Sequence, residues 1–287
     1  QALRAQVSAQ MCCQPPRRMR CVATALTTIC LLTLCAAKNM EVSAAYVVGA
    51  DGGVTKEATR LREISDPGSY GALVYEPPGA ALPRPLLLYL HGAGEMSGDL
   101  WDILSEGATG TPPVELSKGT ALPELSEHFV VVAPHTTLGW DASVVGRFLD
   151  FLLSTSGLYL DEARLYVTGH SMGGAGALAA AAGDGRFAAV VPVAPSRAPR
   201  AEHLGSVPVW AFHGQNDVIV PSVVSEELVQ ALRRRAPEGA VEDVARLTLY
   251  SDAPAPRGWP QYFGHASTIP AYATPELYHW LLKHRRG

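Results

Sequence analysis

The sequence predicts an α/β protein with a mostly parallel central sheet flanked by helices, and three observations carry that expectation. Short, largely continuous apolar runs recur along the chain, which suits strands buried on both faces. Segments of helical period separate them. Pro/Gly clusters at Pro77-Pro78-Gly79, at Pro112-Pro113 and between Ala253 and Pro260 punctuate the series,. Strands that alternate with helices need crossover connections, and crossovers yield parallel pairing.

In order, strands are expected at Gly71–Tyr75, Pro85–Leu90, Phe129–Ala133, Arg164–Thr168, Ala188–Val193, Val207–Phe212 and Leu247–Tyr250. Helices are expected at Ala142–Leu153, Met172–Ala182, Pro221–Arg235 and Pro275–His284. The first of these sets Val144, Val145, Phe148, Leu149 and Leu152 on one stripe,. No internal repeat or long low-complexity stretch follows Tyr46. In parallel sheets ligands meet the carboxyl ends of the strands, so the polar residues there are the functional candidates.

Composition divides the chain in two. Of 287 residues, 47% are hydrophobic and 17% charged, with a formal net charge of −4, which suits a folded protein and argues against disorder, collagen and coiled coil. All five cysteines (Cys12, Cys13, Cys21, Cys30, Cys35) precede residue 36. Residues 46–287 hold 18 Lys and Arg against 26 Asp and Glu, a charge of −8, and no cysteine. That acidity disfavours a nucleic-acid groove or a polybasic membrane surface.

The first Met is Met11, the expected natural start. Arg17, Arg18 and Arg20 precede a 17-residue uncharged run, Cys21–Ala37, and small residues follow at Val42-Ser43-Ala44-Ala45. This is the layout of a secretory signal peptide. An uncleaved anchor is the competing reading, and an organelle-targeting leader a third. As a helix the run spans about 25 Å, short of the ~30 Å hydrocarbon core. Residues 1–45 are thus expected to be a leader and 46–287 a single α/β domain, secreted or in the secretory pathway, touching a membrane only if the leader is retained.

Leu165–Leu178 reads as a strand, the turn Gly169-His170-Ser171-Met172-Gly173, then a small-residue helix. A G-x-S-x-G turn in this setting lifts a serine hydroxyl to the apex of a strained bend, and glycines flank it because a Cβ would clash. A serine needs a base, and the base an orienting acid. Asp217 ends the turn His213-Gly214-Gln215-Asn216-Asp217 after a buried strand, and Asp252 is the reserve. His265 follows the last strand, with His279 second. His213 and His203 stand before the acid or in a mid-chain loop, and His284 lies in the final helix. The N–H of Met172 and that of Ala93, with Gly94 next, are expected to bind an oxyanion. His91 is expected to hold that loop. Trp140, Gly94 and His170 are expected to line the substrate site.

These stretches resemble the α/β-hydrolase superfamily, and within it the secreted esterases that include polyhydroxybutyrate depolymerase-like and feruloyl esterase-like proteins, relatives of the phospholipase/carboxylesterase family. The matching segments are Leu90–Glu95 (LHGAGE), Val131–Pro134 (VVAP), Tyr166–Gly174 (YVTGHSMGG), Val207–Asp217 (VPVWAFHGQND) and Pro275–Leu282 (PELYHWLL). The resemblance implies the α/β-hydrolase fold, nucleophile Ser171, acid Asp217, base His265 and oxyanion donors Ala93 and Met172. Two departures stand out. The family's short Asp-Ala-Gly-His run is here split by Pro254 to Phe263, and Pro134-His135-Thr136-Thr137 replaces a more polar segment. The insertion is either an aromatic wall on the acyl pocket or a surface loop of no consequence.

Only Ser196 to Ser206 separate two strands where lids are often inserted, so no large cap domain is expected. The expected activity is hydrolysis of small or polymer-borne carboxylic esters without metal or organic cofactor. A peptidase of the prolyl-oligopeptidase type, an acyl thioesterase and a catalytically silent binding protein are the alternatives.

Overall fold

All seven expected strands form in the computed structural model, which describes residues 46–48, 54–56, 60–79 and 82–287. The leader expected over residues 1–45 lies outside the described residues. Two short strands, β1 (Tyr46–Val48) and β2 (Val54–Lys56), pair antiparallel. The main sheet comprises β3 (Leu61–Ser65), β4 (Gly71–Tyr75), β5 (Arg84–Leu90), β6 (Val130–Pro134), β7 (Leu160–His170), β8 (Ala189–Val193), β9 (Val209–Gly214) and β10 (Ala245–Tyr250). Their order is β10-β9-β8-β7-β5-β6-β4-β3. Pairs from β10 to β6 are parallel, whereas β4 runs antiparallel to both its neighbours.

Strand β3 was not legible in the sequence. Its residues Leu-Arg-Glu-Ile-Ser bury only Leu61 fully, because it is an edge strand, and charged side chains there oppose pairing with another chain. Arg62 reaches Glu76 at 2.6 Å across that edge.

The helices are α1 (Pro112–Lys118), α2 (Pro123–Ser126), α3 (Ala142–Ser154), α4 (Met172–Gly183), α5 (Val223–Arg233), α6 (Val241–Val244), α7 (Thr268–Tyr272) and α8 (Pro275–Lys283). Four of the eight match the expected helices; α1, α2, α6 and α7 are too short to show a period. Strand side chains alternate between two apolar layers. Leu86, Leu88 and Leu90 join Phe148, Leu149, Leu178 and Leu228 on one face. Leu87 and Tyr89 join Tyr166, Phe212, Tyr278 and Leu281 on the other. Both faces are covered, which is why the strands read as continuous apolar runs. Between β8 and β9 the chain forms only a 3-10 turn, Ala201–Leu204, so no cap domain covers this end. Among the described residues, no helix is long and apolar enough to cross a membrane.

Candidate active site

The parallel register aligns the strand ends: Leu90 of β5 pairs Gly169 of β7, and His170 pairs Val193 of β8. Between β7 and α4, Ser171 adopts φ 56° and ψ −114°, a conformation that costs a non-glycine residue on the order of 1–3 kcal/mol. Three backbone bonds hold it there. Ser171 N donates to Val193 O at 2.9 Å, and Ser171 O accepts from Ala175 N at 3.1 Å and Ser196 N at 3.0 Å. Gly173 allows the bend to press on β5, since a Cβ there would lie 1.9 Å from the Leu90 carbonyl oxygen.

Asp217 and His265 meet beside this turn. His265 Nδ1 donates to Asp217 Oδ2 at 2.7 Å, leaving Nε2 as the acceptor nitrogen. The other carboxylate oxygen accepts from Ile219 N at 2.8 Å and Val220 N at 2.9 Å. Burial alone pushes the Asp217 carboxyl up, but hydrogen bonds with His213, His265 and the Val220 N–H outweigh it and hold the group well below the ordinary carboxylate range,. The two loops interlock through glycines. Gly264 has φ +81°, and a Cβ on it would stand 2.3 Å from Asn216 O, while one on Gly214 would stand 2.3 Å from Gly264 O. Asp252, the reserve acid, is instead bonded by the Asn216 side-chain amide at 3.1 Å. His279 is exposed on α8 and His203 on the 3-10 turn, and His284 bonds carbonyls of Trp280 and Asp243.

His213 has a role that its position before the acid did not suggest. Its Nε2 donates to Val220 O at 3.0 Å and lies 3.4 Å from Asp217 Oδ2, and its Nδ1 accepts from Ser225 at 2.8 Å. The histidine four residues before the aspartate was the only sequence signal for this support.

The loop after β5 turns at Gly92 into a short 3-10 helix, Ala93–Glu95. His91 is fully buried, donates from Nδ1 to Gly92 O at 2.7 Å and accepts from Thr136 N at 3.1 Å. Burial pushes its pKa down to about 4, so it is a neutral brace for this loop, as expected. Trp140, expected to contact substrate, spends its polar atom inward: Nε1 donates to His91 O at 2.9 Å. Its ring meets Tyr70 and His91 edge-on, and only 9% of the residue is exposed. His170 donates from Nε2 to the His265 carbonyl at 2.9 Å. Burial, with His265 beside it, pushes its pKa down to about 3. Glu95 is buried, one of its carboxylate oxygens has no hydrogen-bond partner among the described residues, and burial raises its pKa.

Ser171, His265, Ala93, Gly94 and His170 line one cavity of about 280 Å³. Met172 and Trp140 line a neighbouring cleft of about 730 Å³ with Tyr70, Leu138, Val144 and Arg197. The insertion's Tyr262 and Gln261 also line the smaller cavity, so the insertion forms part of the wall of that cavity and none of the larger cleft's.

Comparison with known proteins agrees with this architecture. A family described as PET hydrolase-like matches residues 126–234, a stretch that includes Ser171 and Asp217 and ends before His265. No curated protein matches the chain by sequence. A solved structure described as a thermostable esterase is 24% identical, with 84% of this chain and 71% of that chain covered, and a TM-score of 0.62. The chain has the α/β-hydrolase fold, as that solved structure shows, and its residues 126–234 are similar to PET hydrolase-like proteins.

Proposed function

We propose that this protein is a serine hydrolase of carboxylic esters that works through an acyl-enzyme. The observation that carries the reading is the 2.7 Å bond between His265 Nδ1 and Asp217, with the strained Ser171 in the same cavity as His265. Asp217 selects the tautomer that leaves His265 Nε2 free to take a proton. His265 removes the Ser171 proton as Oγ attacks the ester carbonyl. The N–H groups of Ala93 and Met172 receive the oxyanion, each worth roughly 3–4 kcal/mol in the transition state. The helix dipole of α4 favours the same negative charge. His265 then protonates the departing alcohol and activates water against the acyl-enzyme.

Both cavities open without a cap, and the similarity to PET hydrolase-like proteins supports esters presented on polymers as well as small ones. The feruloyl esterase-like resemblance favours an aromatic acyl group in the larger cleft, beside Tyr70 and Met172. A secretory leader over residues 1–45 would bring the enzyme to such substrates outside the cell. Ser171→Ala should abolish both hydrolysis of p-nitrophenyl butanoate and labelling by a fluorophosphonate probe. Undiminished turnover in that variant would refute the proposal.

A further inference from the structure

The insertion Pro254–Phe263 brings one hydroxyl, that of Tyr262, to the cavity lined by Ser171 and His265. Its 3-10 turn, Pro260–Tyr262, ends beside His265. The Tyr262 ring lies nearly parallel to the imidazole of His265, at 16° and 6.2 Å between centroids. His265 N and Ala266 N both donate to the Tyr262 carbonyl, at 2.9 and 3.0 Å. Trp259 braces the ring from behind at 5.7 Å and packs over Gly107, whose added Cβ would sit 3.7 Å from the indole. So held, the hydroxyl reaches across the cavity to the loop expected to bind the oxyanion, and a Cβ on Gly94 would stand 3.2 Å from it. Among the described residues that hydroxyl has no hydrogen-bond partner.

The chemistry of the base tells which part of an ester comes here. His265 must hand its proton to the leaving oxygen, so the alcohol portion lies on the His265 side of the reacting carbon. His265, Tyr262, Gln261 and Ile219 share the cavity of about 280 Å³. None of them lines the cleft of about 730 Å³ beyond Met172, which is left for the acyl portion. We infer that the Tyr262 hydroxyl donates a hydrogen bond to the alcohol portion of the ester, and so selects alcohols that carry a second oxygen acceptor a few bonds from the ester oxygen. Tyr262 is then a specificity-determining residue supplied by the insertion. The inference rests on the ester-hydrolase reading of Ser171.

Two esters of one shape test it: 2-methoxyethyl butanoate and butyl pentanoate's shorter homologue, butyl butanoate, which differ by an ether oxygen in place of one methylene. For each enzyme the readout is the ratio of kcat/KM for the ether ester to that for the alkyl ester. Tyr262→Phe removes only the hydroxyl and keeps the ring on His265. Comparing the two enzymes' ratios cancels the intrinsic difference between the leaving groups. The ratio should fall about three- to tenfold in Tyr262→Phe, the discrimination expected of one net hydrogen bond. An unchanged ratio overturns the inference while leaving the ester-hydrolase reading intact if Ser171→Ala is inactive. Turnover that survives in Ser171→Ala overturns both.

Discussion

Gly173 is where the Ser171 turn and the loop after β5 depend on one missing methyl group. A Cβ built at this position stands 1.9 Å from the Leu90 carbonyl oxygen and 2.5 Å from that of His91. Ordinary contact begins near 3.4 Å, so α4 and the end of β5 must part by about 1.5 Å in Gly173→Ala. Both obstacles are backbone, and neither can rotate away. A displacement of about 1 Å between reacting groups costs on the order of 100-fold in rate, so kcat/KM toward p-nitrophenyl butanoate should fall at least about 100-fold. Overpacking should also remove roughly 1–3 kcal/mol of stability, read as a lower midpoint in thermal denaturation. Gly183→Ala, in the same helix, is the matched control. Its added Cβ would meet Ala142 at 3.6 Å, an ordinary contact, and Ala gains up to about 1 kcal/mol over Gly in a helix. That variant should keep its activity and melt no lower than the parent. A Gly173→Ala enzyme within threefold of the parent would refute the packing argument.

Two further outcomes follow from buried polar groups. Asp217→Asn should lower kcat about 10⁴-fold, because an amide at that position no longer enforces the Nδ1-protonated tautomer of His265; steady-state kinetics with a small loss would contradict this role. His91 and His170 have pKa values pushed from 6.5 to about 4 and about 3 by burial. Below pH 6.5 the unfolded chain therefore binds protons that the fold does not, and stability must fall as pH drops from 6.5 toward 4. For His91 alone the loss is roughly 3 kcal/mol. Asp217, whose pKa is depressed, adds stability above the unfolded carboxylate pKa that is lost at still lower pH,. Urea midpoints measured from pH 7 to pH 4 should decline over that window, and a flat profile would contradict the neutral, buried state of these histidines.

Much of the fold was legible because local pattern and tertiary environment agree. Most strands that read as apolar runs are covered on both faces, whereas β10, at the sheet edge, is only partly buried beyond Ala245. β3 was missed because an edge strand carries charge and buries one face only in part. Four helices of seven residues or fewer were missed because less than two turns shows no period. Ser171 was legible for a local reason, since its bend needs glycines within two residues. The meeting of Asp217 with His265, 48 residues apart, was readable only as an order along the chain.

Certain contacts had no sequence signal that could decide them. Trp140, expected to meet substrate, lines the larger cleft while its indole N–H is taken by His91 O, a partner 49 residues away. Asp252 and Asp217 were both candidates; the interlocked glycines at 214 and 264 bring His265 to the latter and leave Asp252 to Asn216. The insertion sets Tyr262 against His265 and Trp259 beside Gly107, contacts across more than a hundred residues in the second case. By itself the sequence determined the parallel sheet, the glycine-flanked turn at Ser171 and the residues offered at each strand end, because burial pattern and backbone sterics act over a few residues. Which of those residues touch, and in which protonation state they do so, was decided only by the tertiary structure, because hydrogen bonds and desolvation depend on neighbours that the chain brings from far away.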